Sequence, residues 1–175
     1  MLVCETGRLR VRYLDPYVDA AFIVQLLNEP SFLQNIGDRG VRTLEDAHRY
    51  LTEGPLASYA RHGFGLFCVE LKGVAPDEPA VPIGMCGLLK RDWLADVDIG
   101  FAFLPQFWSK GYAFESAQAV IDWGRRARGV TRVVGITAFH NKGSMRVLEK
   151  LGLKSAGLVR SPEGQESQLF TPDGG

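Results

Sequence analysis

Three places in this chain combine residue types and spacing that could do chemistry. In the stretch Trp108-Ser109-Lys110-Gly111-Tyr112-Ala113, a glycine and an aromatic open an apolar-periodic segment where a capping side chain would normally stand. The first N–H groups of a helix have no partner within the helix, and together they carry about half a positive charge. Gly111 leaves the backbone bare and Ala113 nearly so, which lets a large anion such as a pyrophosphate come close and supply the acceptors. An ordinary tight turn is the other reading of the same residues. The second place is Asp98, which shares a strand face with Gly100 and Ala102, small neighbours that leave room for a substrate. A carboxylate there could take a proton from an incoming substrate, with Asp96 and His140 as second choices; a solvated strand-end acid is the alternative. The third is Asn141 with Ser144 three positions on. Asn is a preferred N-cap, and a serine at a helix start can simply bond locally.

The elements that must position these residues can be read from periodicity. Arg8 to Tyr13 alternates as a half-buried strand, Tyr17 to Asn28 is helical until Glu29-Pro30 stops it, and Thr43 to about Ala60 is helical with a kink or break at Gly54-Pro55. Phe64 to Leu71 and Val81 to Leu89 are apolar runs on either side of the breaker-rich GVAPDEPAVP, and Val97 to Leu104 is a further strand ending at Pro105. Gly111 to about Arg128 is a helix with Phe114, Ala117, Val120 and Ile121 inward. A strand from Arg132 to Phe139, a helix from Asn141 to Leu151 and a cap at Gly152 follow. Lys154 to Val159 and Ser167 to Phe170 supply the last strands, and residues 171–175 are expected to fray. This order is mixed α/β, and 175 residues suit a single domain over 1–175.

Composition narrows the function classes. Lys+Arg and Asp+Glu both total 20, so the formal charge is zero and no basic footprint for nucleic acid stands out. No apolar run approaches the roughly 20 residues needed to cross a bilayer, and the opening MLVCETGRLRVR does not read as a signal peptide, so a cytoplasmic protein is expected. Cys4, Cys68 and Cys86 form no C-x-x-C pair, and His48, His62 and His140 lack ligand spacing, so no metal site is expected. There is no Gly-Lys dipeptide for a Walker loop, no G-x-G-x-x-G opening a helix after a strand, and no G-x-S-x-G elbow.

The segment VDIGFAFLPQFWSKGYAFESAQAVIDW resembles the acetyl-CoA-binding core of the GNAT acetyltransferase superfamily, whose loop reads Q/R-x-x-G-x-G/A between a strand and a long helix. Trp108 stands in the usual Gln/Arg place, as in the branch that acetylates ribosomal-protein N-termini. Asn141-Lys142-Gly143-Ser144 with Glu149-Lys150-Leu151-Gly152 is similar to the second half of the family signature, and ETGRLRVRYL to its first strand; the likeness weakens after Gly157.

The resemblance implies a mostly antiparallel, twisted sheet of six to seven strands flanked by about four helices. It implies acetyl-CoA as co-substrate, direct transfer to a primary amine of a protein N-terminus or small molecule, and a monomer or homodimer. The cofactor residues it implies are Ser109, Lys110, Gly111, Tyr112 and Ala113, the main chain of Phe101, Ala102 and Phe103, and Asn141 and Ser144 on the pantetheine arm. Ser144 would also be the acid for the departing thiolate, and Asp98 is the first choice of base. Lys110, Lys142 and Arg146 could screen a 3′-phosphate or simply be solvated. A non-catalytic acyl-CoA-binding module is the alternative, and a small dinucleotide-binding protein a more distant one.

Overall fold

The computed structural model describes residues 1–175. Eight strands form one sheet: β1 (Leu2–Glu5), β2 (Leu9–Arg12), β3 (Leu66–Leu71), β4 (Val81–Leu89), β5 (Val97–Phe103), β6 (Val133–Thr137), β7 (Lys154–Arg160) and β8 (Glu166–Thr171). Their spatial order is β1-β2-β3-β4-β5-β6-β8-β7, and every pairing is antiparallel except β5 with β6. The helices are α1 (Ala20–Leu27), α2 (Pro30–Asn35), α3 (Leu44–Leu51), α4 (Ala57–His62), α5 (Tyr112–Arg128) and α6 (Lys142–Lys150). A π-turn over Thr52–Leu56 joins α3 to α4 around Pro55, so those two run as one broken path and the fold counts five helical bodies. No helix is long and apolar enough to cross a membrane.

Strand alternation sends side chains to two cores. Leu9, Val11, Phe67, Val69, Ile83, Cys86 and Leu88 meet Ala117, Val120 and Ile121 of α5 on one face. On the other face Cys68 and Met85 meet Ile23, Leu26 and Leu27 of α1 with Ala47 and Leu51 of α3. A Cβ on Gly124 would lie 2.4 Å from a methyl of Leu88, so the glycine sets how closely α5 can rest on the sheet. Next to it in sequence, Trp123 stands edge-on to Phe67, with centroids 5.3 Å apart.

Three expectations from the sequence change. The sheet has eight strands rather than six to seven, because the four residues of β1 add an edge strand beside β2. Pro30 does not merely end a helix: it occupies the first position of α2, where a missing N–H costs nothing. Residues 171–175 are tied down rather than frayed. The Thr171 hydroxyl accepts from the N–H groups of Gly174 (2.9 Å) and Gly175 (3.1 Å), and Asp173 pairs with Arg132 at 2.9 Å.

Candidate active site

The site begins where two strands part. β5 follows β4 along its whole length, from Asp98 opposite Leu89 to Phe103 opposite Gly84, but it pairs with β6 only at Val97–Val133 and Asp98–Val134. Beyond Asp98, β6 turns to β8 through Gly135–Phe170, Ile136–Leu169 and Thr137–Gln168. The β6-facing edge of residues 99–103 is therefore left open, which exposes backbone polar groups that a bound chain could engage.

Two cavities meet in this cleft. One, of about 730 Å³, runs from the β5 edge to the starts of α5 and α6; the other, of about 420 Å³, lies over Asp98, Gly100 and Ala102. Phe32 and Asn35 of α2 with Ile36 just after it, Phe101 and Ala102 of β5, and Asn141 and Ser144 line both. Gly100 widens the smaller cavity, since a Cβ there would come within 3.0 Å of the Leu89 side chain.

The loop before α5 is built to present amides. Gly111 caps the helix in the left-handed region (φ 83°), Ser109 also has positive φ (60°), and no side chain caps the end. The Glu115 N–H reaches Gly111 O at 3.0 Å, whereas the N–H groups of Tyr112, Ala113 and Phe114 meet no protein acceptor. Arg8, in the turn between β1 and β2, fastens the loop from behind. Its guanidinium donates to Lys110 O at 2.8 Å, lies 4.5 Å from the Tyr112 ring centre and pairs with Glu115 at 2.6 Å. Burial pushes the Glu115 carboxyl up, but bonds from Thr6 and Arg8 outweigh it and hold it below the ordinary glutamate value. At the loop's front, the Trp108 indole N–H donates to Phe103 O at 2.9 Å, so the loop and the end of β5 move as one piece.

Most of the residues read from sequence gather here. Trp108, Ser109, Gly111, Tyr112, Ala113, Phe101, Ala102, Phe103, Asn141 and Ser144 line the larger cavity, together with Lys142, Arg146 and Lys150. Lys110 does not: its ammonium lies over the Phe107 ring, 5.9 Å from the centre, and only its carbonyl takes part in the loop, towards Arg8. The Phe103 carbonyl is already bonded to Trp108, and the Phe101 and Phe103 rings belong to the core, so the free backbone of β5 lies nearer Phe101 and Ala102. Asn141 takes the N-cap role. Its side-chain oxygen caps α6 by accepting from the Ser144 N–H at 3.2 Å, which leaves its amide N–H₂ unengaged beside both cavities. The Ser144 hydroxyl makes no local bond.

Asp98 lines the smaller cavity, is 1% exposed and pairs with Arg91 at 3.1 Å. Burial raises its carboxyl above the ordinary aspartate value, and the Arg91 charge opposes that rise without cancelling it. Asp96 is held by Arg132 at 3.1 Å and touches neither cavity. His140 lines the larger one with a ring nitrogen 2.8 Å from the Asn35 side-chain oxygen. Sequence reasoning missed Arg91, the Trp108–Phe103 bond, the Arg8 clamp and the Asn35–His140 contact. Arg91 and Trp108 each tie a loop to the adjoining strand β5, whereas the Arg8 and Asn35–His140 contacts join parts of the chain about a hundred residues apart. No group of three or more His, Cys, Asp or Glu is placed to hold a metal ion.

Comparison with known proteins places the chain in a family. A family model described as an acetyltransferase (GNAT) domain matches residues 8–154. The chain belongs to the GNAT acetyltransferase family. It is an N-acetyltransferase by that membership, and relatives such as YnaD and YjdG of Bacillus subtilis carry that description. The uncharacterized N-acetyltransferase YjdG of Bacillus subtilis is 30% identical over 155 residues, covering 87% of this chain and 89% of that one. Among solved structures, an acetyltransferase from Agrobacterium tumefaciens superimposes with a TM-score of 0.78 at 21% identity, over 96% of this chain and 92% of the other. RimL, a ribosomal alpha-N-protein acetyltransferase in complex with coenzyme A, does so with a TM-score of 0.80 at 15% identity, over 98% and 97%.

Proposed function

We infer that this GNAT protein moves the acetyl group of acetyl-CoA directly to a primary amine, on a peptide N-terminus or a small molecule. The observation that carries the reading is the meeting of the two cavities at Ala102, Asn141 and Ser144, beside the open edge of β5. The larger cavity suits acetyl-CoA chemically. Unpartnered amides at the start of α5 and the cations Lys142, Arg146 and Lys150 complement phosphates at one end, and backbone groups with the Asn141 amide complement a pantetheine at the other. The smaller cavity is left for the amine.

Transfer needs a neutral nucleophile, a polarised thioester carbonyl and a proton for the leaving sulfur. Asp98, raised by burial, can receive the proton that the amine loses. The Ser144 hydroxyl, which has no local partner, can donate one to the departing thiolate. A covalent acetyl-enzyme on cysteine has no support: Cys68 and Cys86 are buried thiols pushed up to about 12 and Cys4 to about 11, and none lines either cavity.

The test is thiol release from acetyl-CoA over a panel of α-amines, lysine side chains and polyamines, read beside a crystal grown with acetyl-CoA. Release of coenzyme A with one class of amine, and the acetyl carbon at Ala102, is the expected result. A coenzyme lodged outside the larger cavity overturns the reading.

A further inference from the structure

The cavity over Asp98 carries donors that the transfer itself does not use. Of the three arginines along the two cavities, Arg91 is paired with Asp98 and Arg146 faces the coenzyme end. Arg39 reaches the acceptor cavity from the loop between α2 and α3, and no carboxylate or carbonyl lies within bonding range of its guanidinium. Its sequence neighbour Asp38 is already engaged, by Arg42 at 2.7 Å and by the Gly40 N–H at 2.8 Å, which is why Arg39 is left without a partner. Tyr50 of α3 lines the same wall, and its hydroxyl also meets no protein partner. The two side chains are close enough that the Arg39 charge opposes the effect of burial on the Tyr50 phenol. The remaining acid on the lining, Glu163 in the turn between β7 and β8, does not come within ion-pair distance of Arg39.

A guanidinium fork and an O–H donor lining one cavity, neither bonded to a protein acceptor, match a planar anion that accepts two parallel bonds. Ala102 and Ser144, beside which the amine must arrive, line the same cavity. We propose that the acceptor carries a carboxylate in addition to its primary amine, and that Arg39 and Tyr50 hold that carboxylate while the amine faces Ala102. This rests on the acetyl-transfer reading above and names the acceptor class for the same site. The carboxylate could be the α-carboxylate of a free amino acid or an acidic side chain near a peptide N-terminus.

Matched pairs of acceptors distinguish the two sources: an amino acid against its amide, and a short peptide amide with Glu against one with Gln at its second position. In one pair the acidic member should exceed the neutral member in kcat/KM by roughly 10- to 100-fold, the range expected of bonds to a charged group. Arg39→Ala should bring that ratio close to one without changing the KM for acetyl-CoA, Arg39→Lys should keep part of it, and Tyr50→Phe should lower it several-fold. Calorimetry with the acetylated product of each pair, without acetyl-CoA, should show the same preference. Ratios near one in both pairs, or a ratio that survives Arg39→Ala, overturn the carboxylate site and leave acetyl transfer standing. Acetyl-CoA binding with neither turnover nor product binding across all pairs also overturns it. Failure to bind acetyl-CoA overturns the reading beneath it.

Discussion

Asp98 and Arg91 are best understood as one unit. Burying a carboxylate costs several kcal/mol, and the guanidinium at 3.1 Å offsets only part of that, so the Asp98 carboxyl stays above its ordinary value. Between the ordinary value and the raised one the native state binds more protons than the unfolded chain, so stability falls as pH rises through that window. Arg91→Ala removes the opposing charge and widens the window upward. We expect a less stable protein at neutral pH, with the deficit shrinking in mild acid where Asp98 can protonate, as read by denaturant midpoints across pH. In catalysis the same change moves the acid limb of the kcat/KM profile to higher pH, and Asp98→Asn removes that limb. The size of the Asp98→Asn defect also reports on the acceptor. An α-amine, with pKa of about 7.7–8.0, is roughly one-tenth neutral at pH 7, whereas a lysine near 10.4 is neutral about once in 2,500 molecules. A loss on the order of 100-fold or more points to an amine that needs a base, and a small loss to one that sheds its proton to water. For Ser144→Ala, a fall in kcat of about 100-fold with little change in the KM for acetyl-CoA is the signature of a lost proton donor, and equal kcat removes Ser144 from the chemistry.

At the scale of elements, the proposed coenzyme site is a joint between the end of β5, the loop from 104 to 111 and the first turn of α5. The Trp108 indole fixes the loop to Phe103 O, and Arg8 fixes it from behind through Lys110 O. Trp108→Phe keeps the ring and loses the bond. A KM for acetyl-CoA raised roughly 2- to 10-fold with kcat at saturation unchanged is expected, the range of one hydrogen bond. At Gly111 two effects separate. With φ at 83°, any side chain costs about 1–2 kcal/mol, so Gly111→Ala and Gly111→Glu should both lower the melting point. A carboxylate at a helix N-terminus is itself favourable, so the glutamate variant should be no less stable than the alanine one. It should nevertheless lose acetyl-CoA binding in calorimetry while the alanine variant keeps some, and equal affinities would take the loop out of the site. These elements were legible to different degrees. β4 has the bounds that its apolar run and flanking breakers predicted, and α5 and α6 start within one residue of the expected positions because the local glycine and asparagine signals are strong. β1 was not legible because four half-exposed edge residues carry no usable alternation, and α2 was hidden because proline stops one helix and starts another by the same property. Arg91 and Arg39 were not legible as site residues, since neither lies on a periodic element and their partners or lack of partners exist only in three dimensions.

The whole molecule is a sheet divided along the line of the proposed active site. β1 to β5 form one run of antiparallel pairs and β6, β8 and β7 another, and the two runs share only the two β5–β6 backbone pairs at the closed end of the cleft. Other contacts reinforce that seam. Leu148 of α6 packs in the same core as α5, and Arg132, next to β6, pairs with Asp96 before β5 and with Asp173 of the closing turn, both within 3.1 Å. A ligand in the larger cavity would contact both runs at once, through β5 and the start of α5 on one side and the start of α6 on the other. Binding to the native state alone stabilises a protein by about 2.7 kcal/mol at 100 times the Kd, which for a chain of this size is a melting-point rise of about 5–11 °C. The distribution of the gain discriminates more than its size. Hydrogen exchange with and without acetyl-CoA should slow most at the amides of Tyr112 to Phe114, along residues 99–103 and at the start of α6. Amides of α4, none of whose residues line either cavity, should change least. Protection spread evenly over the sheet would mean that the coenzyme acts by general stabilisation and not by closing this seam.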